Sequence, residues 1–298
     1  MKKIGFIGLG IMGMPMAKNL LKANYEIIAY DIVTEALKKI EAEGATKAAS
    51  ISEVAKAADT IITMLPNSPQ VEEVVLGEGG VAENAKPGTL VIDMSSIAPL
   101  ASQKVASELK LKGIRMIDAP VSGGEPKAID GTLSIMCGGE SEDFTEAKPI
   151  LDCLGASAVL VGKNGAGNTT KLANQVIVAA NIAAVAEAFA LAKKAGVDPQ
   201  LVFDAIKGGL AGSTVMNAKA PMMLEGNTKP GFKIDLHIKD LNNVMETGQA
   251  VESPLPLTEQ TLAMMKKLHH QGEGQSDHSA LALYYEELAG IKIRPGGN

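Results

Sequence analysis

The sequence has no tryptophan, and aromatic residues make up only 3% of its 298 positions. Few aromatics means few platforms on which nucleic-acid bases could stack. Cysteine is as scarce, with Cys137 and Cys153 the whole supply. Two cysteines build no disulfide framework and offer no paired zinc motif. Both read as small core residues. The four histidines form no metal-ligand spacing, and the adjacent His269 and His270 point apart on a helix. Basic residues are outnumbered, leaving a formal net charge of −6. That argues against nucleic acid or an anionic membrane as partner, since each needs a basic face. The apolar opening after Met1-Lys2-Lys3 breaks at Gly8 and Gly10, too early for a secretory signal. The run from Val176 to Ala192 is rich in alanine and contains Asn181 and Glu187. It reads as a buried helix rather than a membrane span. Neither a Walker pattern nor a G-x-S-x-G elbow occurs. The class left is a soluble, cytoplasmic protein with a large aliphatic core.

What is present fits that class: 46% hydrophobic and 21% charged residues, with 31 glycines and 14 methionines. The length predicts about two domains at roughly 150 residues each. In the first half, strand-like runs alternate with helical patterns. Strands are expected at Lys3–Gly8, Glu26–Asp31, Thr60–Leu65, Thr89–Met94, Arg115–Ala119, Leu133–Cys137 and Ala158–Val161. They are nearly continuous in Ile, Val and Leu, as strands buried on both faces of a parallel sheet are. The alternation predicts a doubly wound α/β domain over residues 1–162. A Gly-rich hinge, Gly162 to Asn168, follows. Beyond it the strand signal fades, and a long apolar helix is expected from about Asn168 to Ala195. An all-helical second domain is placed at 163–298, with a frayed end at Pro295–Asn298.

Gly8-Leu9-Gly10-Ile11-Met12-Gly13 fits G-x-G-x-x-G, after a strand and opening a helix. That context is what a dinucleotide site demands. Gly8 permits the tight turn, Gly10 admits the pyrophosphate to the backbone, and Gly13 lets helix and strand pack closely. Asp31 closes the second strand, where a carboxylate accepts bonds from ribose hydroxyls and repels a 2′-phosphate. No Arg follows it in Ile32-Val33-Thr34, so NAD(H) is favoured over NADP(H). Capping of the following helix is the other role open to Asp31. Leu65-Pro66 and Ser95-Ser96 fall at further carboxyl ends of strands, where ligands bind in such sheets.

Two more segments carry polar groups with a chemical use. Ser122-Gly123-Gly124 offers a hydroxyl and unobstructed amides to a small carboxylate or carbonyl, although a plain loop would look the same. Lys171 stands at the start of an otherwise apolar helix, where the helix dipole disfavours a cation. Asn174 and Gln175 lie three and four residues on, along the same face. Lys171 is either a snorkelling surface lysine or a proton donor beside a carboxamide. In the second role an ammonium stabilises the negative charge that hydride arrival builds on a carbonyl oxygen. Lys239, in Ile234 to Leu241, could reach a cofactor or substrate, or belong to a solvated charged face.

The chain resembles the β-hydroxyacid dehydrogenase family on four motifs in order. They are Gly8 to Ala17, Asp118 to Gly124, Gly162 through Lys171 to Gln175, and Lys239-Asp240-Leu241. Asp93–Ser102, Val121–Gly131 and Gly208–Pro221 look most like its tartronate semialdehyde (2-hydroxy-3-oxopropionate) reducing branch. The resemblance implies a Rossmann domain, a long interdomain helix and a helical domain that makes a homodimer or homotetramer. It implies Lys171 as the acid–base group and Ser122, Gly123 and Gly124 as binders of the substrate carboxylate. Ser96 and Lys239 would border the nicotinamide. The family often has Asn four residues after the lysine; here Gln175 stands there with Asn174 before it, and either can present the carboxamide. The implied reaction is NADH-dependent reduction of tartronate semialdehyde to glycerate. A 3-hydroxyisobutyrate dehydrogenase, a glyoxylate/succinic semialdehyde reductase and a non-catalytic dinucleotide sensor are the alternatives.

Overall fold

The computed structural model describes residues 3–294, so the expected frayed end at 295–298 lies outside it. By backbone contacts the chain divides into two compact units, Met1–Lys171 and Leu172–Asn298. In the first unit, β1 (Lys3–Ile7), α1 (Gly13–Lys22), β2 (Glu26–Tyr30), α2 (Thr34–Ala42) and β3 (Thr46–Lys47) open the chain. Next come α3 (Ile51–Ala57), β4 (Thr60–Thr63), α4 (Ser68–Leu76), α5 (Val81–Asn84), β5 (Leu90–Asp93) and α6 (Pro99–Leu111). The unit closes with β6 (Arg115–Asp118), β7 (Val121–Ser122), α7 (Gly124–Asp130), β8 (Leu133–Gly138), α8 (Ser141–Leu151) and β9 (Gly155–Gly162). The sheet order is β3-β2-β1-β4-β5-β6-β8-β7, with β9 also paired to β8. Its first six strands are parallel in the Rossmann order.

The continuous apolar runs follow from the two-residue period of a strand. Ile4, Phe6, Ile27, Ala29, Ile62, Leu90, Ile92 and Ile117 enter one core. Their sequence neighbours Ile7, Ile28, Ile61, Val91 and Met116 enter a second. A sheet covered on both faces has no polar side, so alternation is lost. The far edge departs from the all-parallel expectation: β8 runs antiparallel to β6 and β7. Val121–Ser122 is short because Pro120 precedes it and Gly123 ends it. β9 is longer than expected and mostly exposed.

The second unit is helical. It contains most of α9 (Ala166–Lys194), then α10 (Pro199–Ile206), α11 (Thr214–Glu225), α12 (Ile234–Ala250), α13 (Pro256–His270) and α14 (Leu281–Ala289). Among the described residues the only β pairing after Gly162 is an isolated bridge, Lys233–Asp277. α9 starts two residues earlier than expected and has the length and hydropathy of a membrane span. Ala179, Ile182, Ala186 and Phe189 on it belong to the core of this unit, which accounts for its apolar character.

Candidate active site

The loop between β1 and α1 is shaped by two collisions. Gly8 has φ +98°, and a Cβ there would strike the Met64 carbonyl. A Cβ on Gly13 would strike the carbonyl of Gly8. Gly10 is different: a Cβ there meets nothing within 4 Å, so its face opens to space. Ile11 is exposed and Met12, the N-cap of α1, caps the helix with no side-chain bond. A backbone cradle with an uncapped helix N-terminus suits an anion such as a pyrophosphate.

Asp31 is tied to this loop. Its Oδ2 accepts from the Leu9 amide at 2.5 Å and its Oδ1 from the Val33 amide at 2.7 Å. It therefore does hold the turn before α2, and it also braces the glycine loop across 22 residues of sequence. The exposed Ile32 and Val33 beside it carry no charge. At the end of β4 the Leu65 amide donates to Ser95 Oγ at 2.9 Å, while Pro66 is exposed and Ser96 half-buried. These residues fit a dinucleotide, with the glycine loop for phosphate and Asp31 for ribose.

Ser122 sits on β7, paired with Ser134. Gly123 and Gly124 have φ +139° and +68°, values that favour glycine. Gly123 is also crowded, since a Cβ would lie 2.6 Å from the Lys127 side chain.

Lys171 is the sixth residue of α9 and only 6% exposed. That burial excludes the snorkelling surface lysine. Within the second unit, Gln175 is buried and its Nε2 donates to Asp240 Oδ2 at 2.5 Å. Asn174, half-buried, donates from Nδ2 to Gln175 Oε1 at 2.8 Å. Lys239 Nζ lies 2.8 Å from Asp240 Oδ1. The fold thus gathers Asn174, Gln175, Asp240 and Lys239 into one chain of contacts. α12 presents a buried His237 and Asp240, so Lys239 is not on a simply solvated face.

Two features were missed in the sequence. His237 and His278, 41 residues apart, meet with their Nδ1 atoms 2.9 Å apart. Asp93 and Asp118 close neighbouring strands in register and are fully buried. Burial raises both carboxyls to about 6, and for Asp93 the Asp118 charge adds to the rise. The signal available was an Asp ending each apolar run, at Leu90–Asp93 and Arg115–Asp118. Cys137 is a core residue of β8, and burial pushes its thiol up to about 12.

Residues 3–162 match the model of the NAD binding domain of 6-phosphogluconate dehydrogenase. Residues 165–285 match that of the NAD-binding domain of NADP-dependent 3-hydroxyisobutyrate dehydrogenase. The chain is 43% identical over 293 residues to 2-hydroxy-3-oxopropionate reductase of Escherichia coli, covering 98% of this chain and 99% of that one. It is 38% identical to 2-(hydroxymethyl)glutarate dehydrogenase of Eubacterium barkeri, covering 99% and 98%. The structure of Mycobacterium tuberculosis 3-hydroxyisobutyrate dehydrogenase with L-serine superposes with a TM-score of 0.89 at 32% identity, covering 95% of this chain and 98% of that one. With a dinucleotide cradle in one unit, a buried lysine at its end and relatives matched over nearly their whole length, the chain belongs to the β-hydroxyacid dehydrogenase family.

Proposed function

We propose that the protein reduces tartronate semialdehyde (2-hydroxy-3-oxopropionate) to glycerate with NADH, Lys171 serving as proton donor. The observation that carries this reading is the burial of Lys171, with two carboxamides one turn further along α9. A lysine in an alanine-rich helix, withdrawn from water, has a chemical rather than a solvating role. The relative at 43% identity, itself named a 2-hydroxy-3-oxopropionate reductase, supports the choice of substrate.

A bound nicotinamide would supply the hydride. The Lys171 ammonium would donate its proton to the carbonyl oxygen as charge grows there. Ser122 and the amides of Gly123 and Gly124 would hold the substrate carboxylate, and Asn174 or Gln175 would orient the hydroxy-aldehyde end. The two carboxamides are linked to each other, and Gln175 also donates to Asp240, so they would act as one unit in that contact. Ser96 and Lys239 would border the nicotinamide. NAD(H) is preferred over NADP(H) because Asp31 would face a 2′-phosphate and no Arg stands in the Ile32-Val33-Thr34 that follows it. The division of labour is a cofactor domain at 1–162 and a substrate and assembly domain at 163–298. Ile177 and Leu191 on α9 are exposed, which supports a homodimer or homotetramer. A cytoplasmic location goes with the reading.

The second reading is 3-hydroxyisobutyrate dehydrogenase, favoured by the structural match to that enzyme. A panel of semialdehydes with NADH and NADPH separates the two. Tartronate semialdehyde with NADH should give the highest kcat/KM; faster turnover of methylmalonate semialdehyde would overturn the choice. Lys171→Ala should bind NADH normally and lose roughly 10²–10⁴-fold in kcat. A bound cofactor with no turnover of any substrate by the unmodified protein would point to a sensor instead.

A further inference from the structure

The glycine-rich segment before Lys171 converges on one buried carboxylate. The Gly165 amide donates to Asp118 Oδ1 at 2.7 Å, and the Asn168 amide to Asp118 Oδ2 at 2.8 Å. The Gly167 amide faces the same group. These amides belong to the first turn of the 29-residue helix α9 and the residue before it. A carboxylate there satisfies donors that no helical carbonyl can reach and complements the helix dipole. The close approach dictates the glycines. A Cβ on Gly138 would lie 2.6 Å from Asp118 Oδ1, and one on Gly167 would lie 2.8 Å from Asp118 Oδ2.

The Asn168 side chain fixes the same turn from another side. Its Oδ1 accepts from the Ile97 amide at 3.0 Å, and its Nδ2 donates to Ser102 Oγ at 2.9 Å. Gly167 and Asn168 are four and three residues before Lys171. Helical side chains lean toward the N-terminus, so the gripped turn is the one beneath the Lys171 stem.

We propose that Asp118 is a positioning residue for Lys171: it grips the first turn of α9 by its amides and so fixes where the ammonium stands. Asp118 also begins the segment that leads to Ser122, so one carboxylate ties the lysine helix to the expected carboxylate-binding turn. The inference rests on Lys171 being the acid–base group. The titratable neighbours that feel the Asp118 charge are Asp93 on β5 and Cys137 on β8. Raised to about 6 by burial, Asp118 would lose its charge, and part of its hold, as pH falls below that value.

The test compares the unmodified protein with Asp118→Asn, Asn168→Ala and Lys171→Ala. Asp118→Asn should keep its NADH Kd within about twofold and its KM within about threefold, while kcat falls about 10–100-fold. Amide exchange at Gly165, Gly167 and Asn168 should quicken by about tenfold or more. The fall of kcat below pH 6 in the parent should be absent in Asp118→Asn. Asn168→Ala keeps the carboxylate, so kcat should fall less and the acid limb should remain; it replaces Asp118→Asn should that variant not fold. Parental kcat in these variants, with Lys171→Ala inactive, would overturn the positioning role. Parental kcat in Lys171→Ala would instead strike the acid–base reading and this inference with it.

Discussion

Asp93 and Asp118 show how one residue can be both anchored and costly. Asp93 Oδ1 accepts from Thr63 Oγ1 at 2.8 Å and from the Ser95 amide at 3.2 Å. Its Oδ2 has no hydrogen-bond partner among the described residues. Burial and the Asp118 charge raise its carboxyl to about 6 from its ordinary value of 3.8. A carboxyl whose folded pKa is raised favours folding below the unfolded value, and that contribution is lost as pH rises through about 6. Asp93→Asn should therefore stabilise the protein at pH 7 by about 1–3 kcal/mol, with the gain shrinking below pH 4. Chemical denaturation at pH 7 and pH 4 checks it; an equal effect at both would mean the charge is not the cause. Lys171 is the opposite case, a residue identified by its sequence setting. A cation opening an alanine-rich helix is conspicuous in the sequence, whereas its burial is a property of the fold.

At the scale of the element, the β1–α1 turn separates folding from binding. Gly13 is packed against the Gly8 carbonyl and the Phe6 ring, while Gly10 faces open space. Gly13→Ala should lose about 1–3 kcal/mol of stability together with cofactor affinity. Gly10→Ala should keep its thermal transition and lose NADH affinity by about tenfold or more, because the methyl would occupy the pyrophosphate approach. Thermal melts and NADH titration of both variants check the pair; unchanged affinity in Gly10→Ala would remove the phosphate role from this loop. The motif was legible because its glycine spacing lies within one strand–turn–helix window, even though the collision that fixes Gly8 is with the distant Met64 carbonyl. The antiparallel pairing of β8 was not, because nothing in Leu133–Gly138 distinguishes the direction of its neighbours.

For the whole molecule, the two units answer acid in opposite senses. The first holds Asp93 and Asp118, both raised to about 6, so it gains stability as pH falls from about 6 toward 4. The second holds Asp277, fully buried. Burial alone would raise that carboxyl, but His278, the Phe232 and Ser279 amides and Lys219 outweigh it and bring it to about 2. Lys219 Nζ meets both of its oxygens, at 2.9 and 3.0 Å, and Gly231 adds a further amide. A lowered carboxyl stabilises above its unfolded pKa, and that contribution, roughly 2 kcal/mol, is lost as pH falls from about 4 through 2. Hydrogen exchange of the β1–β6 strands and of α11–α14, corrected for the intrinsic pH dependence, should diverge over these ranges. Parallel loss of protection in both units would contradict it. Lys219→Met should cost about 3 kcal/mol by removing the ammonium that meets both oxygens of the buried carboxylate.

The sequence by itself indicated seven of the nine strands, the change to helix beyond Gly162, the G-x-G-x-x-G turn and the candidate lysine. These are encoded within short windows, as unbroken Ile/Val/Leu runs, glycine spacing and a lone cation on an alanine-rich helix. Scarcity of aromatics changed none of it, because the aliphatic strands fill two cores by simple alternation. Only the tertiary structure decided that Asp118 reaches the start of α9 across 47 to 50 residues. The same holds for Gln175 and Asp240, 65 residues apart, and for the two imidazoles of His237 and His278. Such contacts depend on which strand ends and helices meet in space, and no local propensity encodes that meeting.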